Sequence, residues 1–154
     1  MDVVVRRGVP EDAPGLARLR WQWRAEEKTV ADISRESFVD FFTTWVLDHR
    51  ATHLPFLAEA DGRLAGMAWL SLGHRVPTPH ALDRRSGDIQ SVYVVPDLRG
   101  HGVGARLIEA ILAHARDVEL QYLTVHSAQE ALGFYERLGF VDNQRWLGHP
   151  RPSG

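Results

Sequence analysis

The order of hydrophobic patterns along the chain predicts an α/β (α+β) domain with a mixed central β-sheet of six or seven strands and helices on both faces. Three observations carry that prediction. Apolar stretches alternate between β-type runs and helical stripes in the order β-α-α-β-β-β-α-β-α-β. A glycine-rich turn leads directly from one strand into an amphipathic helix, between Val92 and Ala105. At 154 residues, with five Trp, six Phe and three Tyr, the chain has the length of one domain and enough large apolar surface for one core.

Val3 to Arg6 reads as a short strand closed by Gly8. Pro10-Glu11-Asp12 opens a helix, with proline and acids where a helix start favours them, and Ala13, Leu16, Leu19 and Trp23 make its apolar stripe. A second helix is expected from Ser34, its stripe formed by Phe38, Phe41, Phe42, Trp45 and Val46. Strands at 55–60 and 64–72 are joined at Asp61-Gly62, a tight-hairpin signal. Gly73 to Gly87, with its His, Pro and Arg clusters, reads as a long loop, and 88–95 as the next strand, stopped by Pro96. Val103 to Arg116 is an amphipathic helix, 120–125 a strand, and 130–138 a helix ended by Gly139 and Phe140. A last strand is expected at 140–146. No repeat or linker divides the chain, so one domain over 1–148 and a flexible tail over 149–154 are expected.

Composition narrows the functional classes. Lys+Arg 18 against Asp+Glu 20 gives a formal charge of -2, so no global field draws the chain to nucleic acid or anionic lipid. With zero Cys there is no disulfide, thiolate metal site or Cys nucleophile. The start of the chain is charged too early for a signal peptide, and no apolar run approaches the roughly 20 residues of a membrane span. A soluble, cytoplasmic domain without nucleic-acid or membrane partners is expected.

The segment from Val92 through Arg99-Gly100-His101-Gly102-Val103-Gly104 to Ala105 is the most informative. Glycines let several backbone N–H groups point at one spot, and the helix start adds its own orphan donors and the favourable end of its dipole. Arg99 brings a fixed charge whose donors suit phosphate. The physics is that of a phosphate or pyrophosphate cradle. There is no Walker lysine, and the excursion from Val94 to Arg99 is long for a dinucleotide-binding turn, so a nucleotide or NAD domain is the weaker alternative.

This segment resembles the signature of the GCN5-related N-acetyltransferases, Gln/Arg-x-x-Gly-x-Gly/Ala between a strand end and a helix. Phe134-Tyr135 followed by Gly139-Phe140 resembles a second family feature, and the whole element order is similar. The resemblance implies a GNAT fold binding acetyl-CoA. Pantetheine would lie along the backbone of Val92, Tyr93 and Val94, and the pyrophosphate on Arg99, Gly100, His101, Gly102, Val103, Gly104 and Ala105. It implies Tyr135 as the general acid that protonates the leaving thiolate while an amine attacks the thioester. Two features depart from the family pattern. Ala128 stands where many members carry Asn, with Ser127 beside it as a substitute, and 120–125 carries no Glu to serve as base.

Asp88 and Gln90, taken to share a strand face with Val92 and Val94, are candidates to hold a water toward the cleft. Glu26 and Glu27, at the end of the first helix, are candidates to attract a cationic acceptor, a small amine being favoured over a peptide amine. His126 is a candidate cap or relay. His74 and His80 lack the carboxylates of a metal site, so no metal is expected, and the loop around them suits a substrate lid. A homodimer is compatible with the pattern. A non-catalytic acyl-CoA sensor or partner module is the alternative in another functional class.

Overall fold

A computed structural model of the chain describes residues 2–150. Five strands form one sheet in sequential order: β1 (Val3–Arg7), β2 (His53–Ala60), β3 (Arg63–Arg75), β4 (Arg84–Val94) and β5 (Tyr122–Val125). The first four run antiparallel, and β5 joins β4 in parallel. Helices α1 (Ala13–Trp23) and α2 (Arg35–Asp48) cover one face, α3 (Val103–Asp117) and α4 (Leu132–Arg137) the other.

Local chemistry sets most boundaries. Asp12 accepts from the Val9 N–H at 2.7 Å and from Arg6 at 2.8 Å, tying the α1 entry to β1. The same guanidinium reaches Glu59, and these bonds hold the Asp12 carboxyl below the usual carboxylate range. Ser34 caps α2, its Oγ accepting from the Ser37 N–H. Asp61 and Gly62 sit at φ +50° and +78°, as a tight hairpin between β2 and β3 demands. Gly139, at φ +96°, ends α4, and the Phe140 N–H folds back to the Tyr135 carbonyl.

Alternate residues of β2, β3 and β4 serve two cores. Phe56, Ala68, Leu70 and Ile89 pack with Leu107, Ile108 and Ile111 of α3. Leu57, Met67, Trp69 and Tyr93 pack with Leu16 and Leu19 of α1. Truncating a fully buried residue such as Leu107 to Ala costs about 2–5 kcal/mol.

Several expectations are corrected. The sheet has five strands among the described residues, because 140–146 does not pair. Asn143 turns that segment, its side chain accepting from the Arg145 N–H and its carbonyl from the Trp146 N–H. The long loop shrinks to residues 76–83: Gly73, His74 and Arg75 pair with Ser86, Arg85 and Arg84 as a projecting polar hairpin. Its charged, polar and glycine residues lack the apolar alternation that marks a strand. Phe41 is 66% exposed, on the shoulder of the α2 stripe. The expected tail lies partly at 151–154, outside the described residues. No helix of the described residues is long and apolar enough to cross a membrane.

Candidate active site

β4 shapes the site. It pairs with β5 only from Ser86 to Ile89, leaving the rest of that edge open as β4 runs on to Val94. Val95 N–H bonds Ala65 of β3, while the Val94 carbonyl accepts from Arg99 Nε at 2.9 Å. At Ser91 (φ +52°) the register with β3 shifts, and two β4 residues oppose one. This bulge inverts the side-chain alternation. Val92 and Val94 join Ile89 on the α3 face, whereas Asp88 and Gln90 share the α1 face with Tyr93. The expectation that Asp88 and Gln90 share a face with Val92 and Val94 is thereby corrected.

The glycine turn follows. Gly100 and Gly102 take φ +79° and +78°, and a Cβ built on either meets no atom within 4 Å. Across Gly100, His101, Gly102, Val103, Gly104 and Ala105, no backbone N–H reaches a backbone carbonyl among the described residues; the first to do so is that of Arg106, to Gly102. These are open donors at the start of a 15-residue helix, and they fit an anionic pyrophosphate. Arg99 is differently engaged. Its guanidinium holds both carboxylate oxygens of Glu26, at 2.8 and 2.9 Å. Glu26 also accepts from the Tyr93 hydroxyl at 3.4 Å, Tyr93 stacks on Trp23, and burial raises the Tyr93 pKa. Glu27 pairs with Arg20 at 2.8 Å. Both acids proposed for an acceptor are therefore neutralised within the chain. His101 is exposed, with Nδ1 3.0 Å from the Arg99 carbonyl.

Beyond β5 lies a cavity of about 450 Å³ that brings Asp88, Thr124, His126, Ser127 and Tyr135 together. Asp88 is oriented by Thr124 Oγ1, donating to Oδ1 at 2.7 Å, and by Gln90 Nε2, donating to Oδ2 at 3.1 Å. Tyr135 is 7% exposed, wedged edge-on against Phe134 and Phe140. Its hydroxyl makes no hydrogen bond among the described residues, and burial raises its pKa. Ala128 begins a short turn ahead of α4. Sequence patterns missed Thr124, since the register between two parallel strands is not written in either. They also missed Glu136 and Asp142, which join the lining from α4 and from the segment after it.

A parallel strand pair that parts beside a glycine turn with open N–H groups, at the start of a long helix, defines a class of α/β domain suited to an anionic, phosphate-bearing ligand. The match to the acetyltransferase (GNAT) family over residues 16–140 makes the assignment: the chain belongs to that family. It is 29% identical to a mycothiol acetyltransferase of Parafrankia sp., over 97% of this chain and 55% of that protein. It is 30% identical to a glucosamine 6-phosphate N-acetyltransferase of Oryza sativa, over 64% of this chain and 59% of that protein. The chain thus spans little more than half the length of these relatives. A predicted acetyltransferase of Clostridium acetobutylicum, solved with acetyl-CoA, shares the fold at a TM-score of 0.74 and 18% identity, covering 97% of this chain and 96% of that one.

Proposed function

We propose that the chain transfers an acetyl group from acetyl-CoA to a primary amine by direct attack, with Tyr135 as general acid. The carrying observation is Tyr135, a buried residue whose hydroxyl has no hydrogen-bond partner among the described residues and which borders the same cavity as Asp88. The amine nitrogen forms the new C–N bond as the C–S bond breaks, the thiolate takes the Tyr135 proton, and the proton the nitrogen sheds on becoming an amide returns through solvent to the Tyr135 phenolate. A free thiol has a pKa near 8.5 and a phenol near 10, so the transfer needs a phenol that holds its proton until the thiolate forms. Burial of Tyr135 keeps it protonated.

The attacking amine must first lose its own proton, since with a pKa near 10 only about one in a thousand is neutral at pH 7. Asp88, which accepts from Thr124 and Gln90, would hold a water that carries that proton to solvent. The open N–H groups of the glycine turn would bind the pyrophosphate and the free edge of β4 the pantetheine, with Arg99 released from Glu26 to add its charge.

Thermal unfolding in the presence of acetyl-CoA, CoA, NAD and ATP tests the donor. Ligand at about a hundred times its dissociation constant adds roughly 2.7 kcal/mol. The expected result is stabilisation by the CoA species alone; equal shifts from NAD or ATP would overturn the reading. Stabilisation by acetyl-CoA with no thiol release toward any amine would instead favour an acyl-CoA sensor.

A further inference from the structure

A line of polar side chains crosses the sheet on the face that α1 and α2 cover. The strand registers set His53 of β2 opposite Ser71 of β3, Ser71 opposite Asp88 of β4, and Asp88 beside Thr124 of β5. Residues paired across neighbouring strands share a face, so the four side chains form one transverse row. On the same face Leu57, Met67, Trp69 and Tyr93 are buried against α1. At the β2 end, His53 Nε2 lies 3.4 Å from Ser71 Oγ, and Nδ1 lies 2.8 Å from Thr52 Oγ1. The Thr52 hydroxyl donates to the His49 carbonyl at 3.5 Å, which leaves its oxygen to accept from His53 Nδ1–H. That tautomer leaves Nε2 bare and facing the Ser71 hydroxyl.

Ser71 and Asp88 are directly opposed, and the Cβ atoms of such a pair stand about 4.5–5.5 Å apart. A hydroxyl and a carboxylate at that spacing communicate directly or through one water. Asp88 borders the cavity beside Tyr135, whereas His53 is partly exposed at the far end of the row, against the Trp45 and His49 rings. The row therefore leads from the cavity to a second opening on solvent. Proton affinity runs the same way. A carboxylic acid with a pKa near 3.9 gives its proton downhill to an imidazole, ordinarily near 6.5. Burial first, and then the positive form of His49 beside it, lower the His53 pKa. At pH 7 the ring thus passes a proton on and does not store it.

Resting on the acetyl-transfer reading, we infer that Asp88, Ser71 and His53 form the exit path for the proton that the acceptor ammonium loses before it attacks. The water at Asp88 takes that proton and hands it to the carboxylate. Ser71 accepts it from Asp88 while its own hydroxyl proton passes to His53 Nε2. The imidazolium then releases its Nδ1 proton to solvent, and exchange with water restores the tautomer. The net transfer is one proton from ammonium to bulk water. Ser71 and His53 act through Asp88 and are positioning residues of the relay.

The test follows thiol release from acetyl-CoA by the full chain, with glucosamine 6-phosphate, glutamate and spermidine as probe amines. His53→Gln and Ser71→Ala should each lower kcat about tenfold and leave the KM for acetyl-CoA within about twofold. Ser71→Thr keeps the hydroxyl and should keep most of the rate. Added imidazole should restore turnover in His53→Gln but not in Ser71→Ala. Combining Asp88→Asn with His53→Gln should cost no more than Asp88→Asn alone, because the two lie on one path. A purely structural role for His53 would show neither the rescue nor this loss of additivity. Nitrogen NMR of the histidine rings gives a readout that needs no turnover: near pH 7 the proton of His53 should sit on Nδ1, with Nε2 bare. A proton on Nε2, or kcat unmoved by both single variants, would overturn the relay and leave acetyl transfer standing. No thiol release with any probe and no stabilisation by CoA would overturn the transfer reading, and the relay with it.

Discussion

The two halves of the site are made of different material. The glycine turn is one continuous stretch, Gly100 to Ala105, and the groups it leaves open are backbone N–H donors. The cavity beside Tyr135 draws side chains from β4, β5, α4 and the segment that follows. A backbone site depends on conformation and tolerates changes of side chain. A side-chain site depends on residue identity at places far apart in the chain. One fold can therefore keep its donor site while exchanging the acceptor it serves.

Three substitutions test this contrast. Tyr135→Phe should have the largest effect, a fall in kcat of about 10²- to 10⁴-fold with stabilisation by CoA unchanged. In the parent protein the phenol, raised above its ordinary value of about 10, keeps its proton through the alkaline range. The pH–rate profile should thus show no loss assignable to Tyr135 below about pH 10, and an alkaline limb at lower pH that vanishes in the variant would contradict the buried-acid assignment. Gly102→Val places a β-branched residue at φ +78°, at a conformational cost of about 1–2 kcal/mol, and should weaken acetyl-CoA by about tenfold. His101→Ala in the same turn should change that affinity less than about twofold. Calorimetric titration of both variants decides the matter, and equal losses would mean that side chains matter there after all.

Glu26→Gln should have a small effect of the opposite sign. The Arg99–Glu26 pair is half exposed, so stability should move by less than about 1 kcal/mol. Freeing Arg99 for phosphate should tighten acetyl-CoA binding by about twofold to threefold. Weaker binding in this variant would show that Arg99 acts in the position where Glu26 holds it.

What the sequence made legible follows the same division. The Asp61-Gly62 hairpin, the Gly139 stop and the glycine cradle rest on chemistry confined to a few neighbouring residues, and each was readable. The outer part of the β3–β4 hairpin was hidden because its residues, Gly73 to Arg75 and Arg84 to Ser86, are charged, polar or glycine and show no apolar alternation. The failure of 140–146 to pair depends on Asn143 bonding its own neighbours, which competes with strand formation in a way apolar content does not reveal. The Arg99–Glu26 pair spans 73 positions of chain, and nothing local announces it. Asp88 was expected on the face of Val92 and Val94 and lies on the other, because one positive-φ serine changed the parity of the strand.

That serine has a consequence for how the protein tolerates insertion and deletion. Elsewhere in a sheet, losing one residue from a strand slips its pairing, and the misfit can be absorbed at a nearby loop. At Ser91 the loss would restore simple alternation and exchange inside for outside in one half of β4: either Asp88 and Gln90 would turn into the α3 core, or Val92 and Val94 would turn out of it. The extra residue works as a phase marker that lets the upstream half of the strand present polar groups while the downstream half stays in the apolar layer beneath the cradle.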